Sequence, residues 1–185
     1  MNLTLSWDLF IIVFFALVIT YTFIIGKKEA VKIIVASYMA IVAVQGLSNA
    51  LERLIGPADT AFSILGFSVD FPLFSLVKMV LFITIVVSLA VRSGFGIQYD
   101  DDGSFLINAG VTSLLGFASA LLLLCTILAY MAGAPILDMQ FATAPSLAPI
   151  IQQSKLLQLL VENQDLWFAL PALILIGVGL LNNRS

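Results

Sequence analysis

The stretch INAGVTSLLGFASALLLLCTILAYM, residues 107–131, decides the fold of this chain. It runs for 25 residues without a charged side chain. A helix needs about 20 mainly apolar residues to cross the hydrocarbon core of a bilayer. The stretch therefore predicts a membrane-spanning helix, and Gly133-Ala134-Pro135 marks its end.

The composition of the whole chain agrees with this prediction. Of the 185 residues, 61% are hydrophobic and 10% are charged, whereas an ordinary soluble domain has about 45–50% apolar and about 25% charged residues. So few charges cannot form the polar shell of a soluble globule. The sequence predicts an all-α, polytopic transmembrane helix bundle that forms one membrane domain over residues 1–185.

Four further apolar segments complete a prediction of five spans. They are residues 7–25, 30–51, 71–91 and 167–181. Only 26–29 separate the first two segments, which predicts a tight antiparallel hairpin, and Trp7 is placed as an interfacial anchor. The last segment is the shortest and contains Pro171, so a re-entrant or interfacial course is its alternative.

The distribution of lysine and arginine predicts the orientation, because cationic side chains are retained in the cytoplasm. With five spans and the N-terminus outside, five cations face the cytoplasm: Lys27, Lys28, Lys32, Arg92 and Arg184. Two lie outside, Arg53 and Lys155. The expected location is the cell membrane, with a cytoplasmic C-terminus; an interfacial last segment would put that terminus outside instead.

Two connectors show regular patterns. Residues 93–108 predict a short cytoplasmic β-hairpin, with Ile97-Gln98-Tyr99 and Ser104-Phe105-Leu106 flanking a turn at Asp102-Gly103. Residues 146–164 predict an amphipathic helix for the membrane surface. Its polar arc is Gln152, Lys155, Gln158, Glu162 and Asn163, and its apolar residues lie largely opposite.

Ionisable groups at membrane depth are the first candidates for function, because burying them in hydrocarbon is costly. Lys78 lies inside the third span. Polar residues on the antiparallel second span and on the first have a similar depth, which suggests an intramembrane cluster of Asp8, Gln45, Asn49, Glu52 and Lys78. Such a cluster would bind an ion or gate a path. The structural alternative is that Lys78 snorkels outward or forms one ion pair, with Glu52 or Asp8.

Small residues in the fourth span predict close helix packing. Gly116 and Ala120 form a small-xxx-small pair, and Gly110 lies near them in sequence. Packing within the chain explains the pattern most simply, and association with a second chain is the alternative.

Catalysis and metal binding lack the residues they need. The chain has no histidine and one cysteine, Cys125, so neither a Ser-His pair nor a Cys/His metal site can form. The run Asp100-Asp101-Asp102 before Gly103 is typical of a solvated turn. A net charge of −3 offers no basic surface for nucleic acid. We therefore expect a protein that is not an enzyme and that has no metal or other cofactor.

The opening of the chain resembles the colicin V production (CvpA)-like membrane proteins. The likeness rests on Trp7-Asp8 before an apolar helix, on Gly26-Lys27-Lys28, and on an amphipathic segment followed by Leu170-Pro171. The resemblance implies an inner-membrane protein linked to secretion or to the cell envelope, and it implies no catalytic residues.

Two functions remain open from the sequence. The first is a non-catalytic scaffold or envelope component. It lies in the lipid bilayer and acts through helix packing with a second copy or with another membrane protein. The second is a small channel or transporter subunit whose path uses the cluster around Lys78.

Overall fold

The computed structural model describes residues 7–55, 72–92, 105–133 and 148–182. Within these ranges every residue is helical except Gly26, Gly133, Ser154 and Asn163, and none belongs to a strand. The predicted all-α class is therefore confirmed. The helices are α1 (Trp7–Ile25), α2 (Lys27–Ile55), α3 (Pro72–Arg92), α4 (Phe105–Ala132), α5 (Ala148–Gln153), α6 (Lys155–Glu162) and α7 (Gln164–Asn182).

Four of these helices, α1 to α4, are long and apolar enough to cross a membrane, which confirms four of the five predicted elements. The fifth predicted segment is helical as α7. It meets α6 at a bend of 74°, and the pair makes a fifth membrane-length element only if it is counted as one broken span. The four apolar helices are compatible with a multi-pass membrane protein.

The turn between α1 and α2 depends on Gly26. Its φ of +83° is in the left-handed region that glycine adopts readily. The Gly26 N–H donates to the Thr22 carbonyl at 2.9 Å, and its own carbonyl accepts from the Ala30 N–H at 3.1 Å. One residue therefore ends α1 and starts α2, as the short connector predicted.

The start of α4 corrects part of the predicted hairpin. Phe105 and Leu106 belong to the helix and not to a β-strand. They extend the apolar run, and a helix satisfies its backbone groups within its own segment, which a lone strand cannot do in an apolar setting. The remainder of the predicted hairpin, residues 93–104, lies outside the described residues.

The centre of the bundle is α4, which packs against α1, α2, α3 and α7. In the 18-residue apolar window of its segment Ile107–Ala132, 67% of the residues are buried, compared with 11% in the corresponding window of α1. Its leucines meet large side chains from the neighbouring helices; Leu121, Leu122, Ile34 and Phe82 are fully buried. The outer helices thus expose broad apolar faces, which suits a hydrocarbon surrounding better than water.

Candidate functional site

The carboxylate of Asp8 joins the first helix to α6. Its Oδ1 accepts hydrogen bonds from the Ser154 hydroxyl at 2.5 Å and from the Leu156 backbone N–H at 3.3 Å. Ser154 is the N-cap of α6, and its Oγ accepts from the Leu157 N–H at 3.0 Å. The first turn of a helix carries unpaired N–H groups and a partial positive charge, which a carboxylate complements. Asp8 therefore holds the start of α6 against α1.

The helix that Asp8 holds is amphipathic in the way the sequence predicts. Leu157, Leu160 and Val161 are buried, whereas Lys155 and Glu162 are exposed. One feature differs from the prediction, because the segment is broken at Ser154 into α5 and α6. Serine favours an N-cap over a helix interior, since its hydroxyl can satisfy the N–H groups of a first turn. We call α5 and α6 together, residues 148–162, the surface arm.

The residues of the predicted polar cluster lie on α1, α2 and α3. Asp8 bonds to the surface arm, as described above. Gln45 Nε2 donates to Asn49 Oδ1 at 3.1 Å on an exposed part of α2. Lys78 lies half-buried on α3. Glu52 belongs to α2, and its side chain lies outside the described part of the chain. The described contacts of Asp8 thus lead to α6.

A polar link that sequence reasoning missed connects α2 to α7. The Tyr38 hydroxyl donates to the Phe168 carbonyl at 2.5 Å. Three residues later, Pro171 lies inside α7 and lacks the N–H that would bond to the preceding turn. The carbonyl that loses its helical donor is that of Trp167, and Tyr38 bonds to the next carbonyl along, in a turn of α7 where a neighbouring helix can supply a donor. In the sequence, Pro171 indicates a gap in the hydrogen bonding of α7, but it does not identify the side chain that donates there.

Helices α1 and α4 approach each other closely at Gly116. A Cβ built there would lie 3.1 Å from the Ile19 Cα and 3.1 Å from both Cβ and Oγ1 of Thr22. Ala120, one turn further along α4, is fully buried. Gly110 differs, because it is exposed and a Cβ there would meet nothing within 4 Å among the described residues. The three predicted packing residues therefore divide into two that lie in the core and one that faces outward.

Two lysines at the opposite end of the bundle have polar partners. Lys27 Nζ donates to Asn108 Oδ1 at 2.6 Å, which ties the start of α2 to the first turn of α4. Lys32 and Glu29 form an ion pair at 2.6 Å within α2. Among the described residues, no group of three or more metal-ligating side chains comes together. Asp100, Asp101 and Asp102, expected in a turn, lie outside the described ranges.

Comparison of the chain with protein-family models, with curated proteins and with solved structures finds no significant match. The resemblance to the CvpA-like proteins therefore stays a prediction from the sequence.

Proposed function

We propose that the chain is a multi-pass membrane protein that works as a non-catalytic scaffold. It would act by helix packing, with a second copy or with another membrane protein, in the secretion- or envelope-linked setting that the CvpA-like resemblance implies. In this proposal the fifth span is residues 167–181 within α7, with the N-terminus outside and the C-terminus in the cytoplasm. The surface arm lies along the outer membrane surface.

The observation that supports a scaffold best is how the buried hydroxyls are satisfied. Five of them donate to the carbonyl one turn earlier in their own helix: those of Thr22, Ser37, Thr112, Ser119 and Thr126. Such back-bonded hydroxyls present little polarity to the helix interfaces. The described interior around α4 is thus largely apolar, and the buried Tyr130 hydroxyl, for which the described residues offer no hydrogen-bond partner, is an exception. Such an interior suits a protein that holds its shape better than one that conducts.

Exposed faces of the outer helices are the surfaces through which a scaffold would bind. Leu17 on α1 is 65% exposed and Val87 on α3 is 55% exposed. In hydrocarbon, helices associate through close packing and interhelical hydrogen bonds. A partner helix would therefore lie along α1 or α3, since more of α4 is buried within its own chain.

Site-specific photocrosslinking in native membranes tests this function. A photoreactive residue at Leu17 or Val87 should give a crosslinked product of one discrete mass. The same residue at buried Leu121 is the matched control and should crosslink only within the chain. If the exposed positions crosslink to lipid alone, the scaffold proposal is wrong.

One feature favours the channel alternative. The exposed Gln45–Asn49 pair lies on α2, and α2 packs against α3, which carries the half-buried Lys78. If several copies of the chain assembled with these faces of α2 and α3 turned towards one another, their polar groups would line a common axis. Ion flux in vesicles that contain the purified chain separates the two functions. A scaffold gives the flux of empty vesicles, and the variant Lys78→Met gives the same result. Flux that disappears in Lys78→Met would favour the channel.

A further inference from the structure

An apolar groove lies between the first span and the surface arm. It has a volume of about 480 Å³ and is lined by α1, α4, α6 and the start of α7. The side chains that define it are Ile12, Phe15, Phe117, Leu156, Leu159 and Trp167. The one polar atom that these side chains carry, Trp167 Nε1, donates to the Leu159 carbonyl at 3.3 Å. Among the residues that the structure describes, the groove therefore offers no hydrogen-bonding group to an occupant, although its volume lies in the roughly 300–1,000 Å³ range of ligand pockets.

The contacts at its two ends give the groove a definite length. At one end α1 and α4 meet at Gly116, against Ile19 and Thr22. At the other end Asp8 holds α6 across the top of α1. Between these contacts the lining residues of α1 run from Ile11 to Ile19, which at 1.5 Å per residue is about 12 Å.

This length matches one leaflet of a bilayer. The hydrocarbon core is about 30 Å thick, so each leaflet contributes about 15 Å. A transmembrane helix of a partner needs the full thickness, and the contact at Gly116 would block it halfway. Water is also a poor occupant, because an ordered water needs two or more polar partners. A single hydrocarbon chain that lies alongside α1 between the surface arm and the Gly116 contact satisfies both limits.

We propose that the groove binds one acyl chain of a phospholipid from the leaflet in which the surface arm lies. This inference rests on the membrane location given under the proposed function and adds a specific ligand to it. The bound chain fills the space that α1, α4 and α6 leave between them. It therefore completes the packing of the surface arm, and it differs from the lipids that exchange along the open faces of α1 and α3.

Native mass spectrometry of the full chain tests the inference. The protein is reconstituted in vesicles of palmitoyl-oleoyl phosphatidylcholine, extracted in mild detergent and stripped of loosely held lipid. We expect one phospholipid to stay bound per chain. Ala16→Trp adds a large side chain at the groove, where Ala16 is one of the lining residues, and should lower the retained lipid at least about tenfold, which corresponds to about 1.4 kcal/mol. Ala43→Trp makes the same change on an exposed part of α2 and should retain the lipid.

A second variant tests the groove independently, in case Ala16→Trp misfolds. Leu159 is 51% exposed, so Leu159→Ser changes the groove wall without opening the core, and it should weaken lipid retention with an unchanged helical spectrum. Resistance to alkaline extraction is measured in parallel. Wild-type protein that leaves the membrane at high pH would contradict the membrane location itself. Wild-type protein that stays in the membrane but keeps no lipid, or that forms a lipid-free dimer, would overturn the groove assignment alone.

Discussion

Substitution of Gly116 by alanine should destabilise the bundle, and the same change at Gly110 should not. At both positions alanine gains helix propensity over glycine, by up to about 1 kcal/mol. At Gly116 the new Cβ also meets Ile19 and Thr22 at 3.1 Å. One of these atoms is backbone, and the Thr22 side chain is fixed by its bond to the Val18 carbonyl at 2.8 Å, so neither can move aside easily. Overpacking of this kind costs about 1–3 kcal/mol.

The difference between the two variants is therefore the informative quantity, because the propensity gain cancels in it. We expect Gly116→Ala to have a free energy of unfolding about 1–3 kcal/mol lower than that of Gly110→Ala. Unfolding in mixed micelles, followed by circular dichroism, measures both values under one condition. Equal stabilities for the two variants would refute the close approach of α1 and α4 at Gly116.

Three further predictions follow from the polar contacts and from the buried core. Tyr38→Phe removes the donor to Phe168 and should lower the unfolding free energy by about 0.6 kcal/mol, a typical value for hydrogen bonds between membrane helices; Tyr21→Phe, at an exposed tyrosine, should change it little. Asp8→Ala removes the acceptor of the Ser154 and Leu156 hydrogen bonds; it should lower the unfolding free energy by about 1 kcal/mol and speed amide exchange in α6, whereas Asp8→Asn keeps an acceptor oxygen and should cost less. Equal exchange rates in the two Asp8 variants would contradict the capping geometry. The thiol of Cys125 is buried in α4 and should react with a maleimide only after unfolding, which intact-mass measurement detects.

The long helices were predictable because the signal for them is local. Length, apolar composition and the absence of charge within 107–131 are enough to predict a membrane-length helix, and the structure places α4 there. The buried face of α6 was predictable for the same reason, since the positions of Leu157, Leu160 and Val161 follow from helical periodicity alone.

The partner of Asp8 could not be predicted in this way. The sequence places residues by depth along a helix, and residues at one depth can still lie on different sides of a bundle. Depth alone suggests a cluster of Asp8 with Lys78, and it gives no indication of the bond that the structure shows between Asp8 and Ser154, 146 residues later in the chain. A local signal was present, because a serine before the run from Leu156 to Leu160 is a typical N-cap. That signal predicts the start of α6 but not the carboxylate that binds there.

We expect the two contacts of α1, at Asp8 and at Ile19 and Thr22, to be coupled through the rigidity of the helix. Asp8 holds the surface arm at one end, and the contact of Ile19 and Thr22 with Gly116 sets the distance between α1 and α4 further down. A helix transmits a displacement along its length, so separating α1 from α4 at Gly116 should also shift Asp8 relative to Ser154. Gly116→Ala should therefore speed amide exchange in residues 155–162, although these residues lie far from the substitution along the chain. Gly110→Ala should leave that exchange unchanged, because Gly110 faces away from the described helices. Unchanged exchange in both variants, together with the expected loss of stability in Gly116→Ala, would show that the surface arm is held independently of the α1–α4 contact.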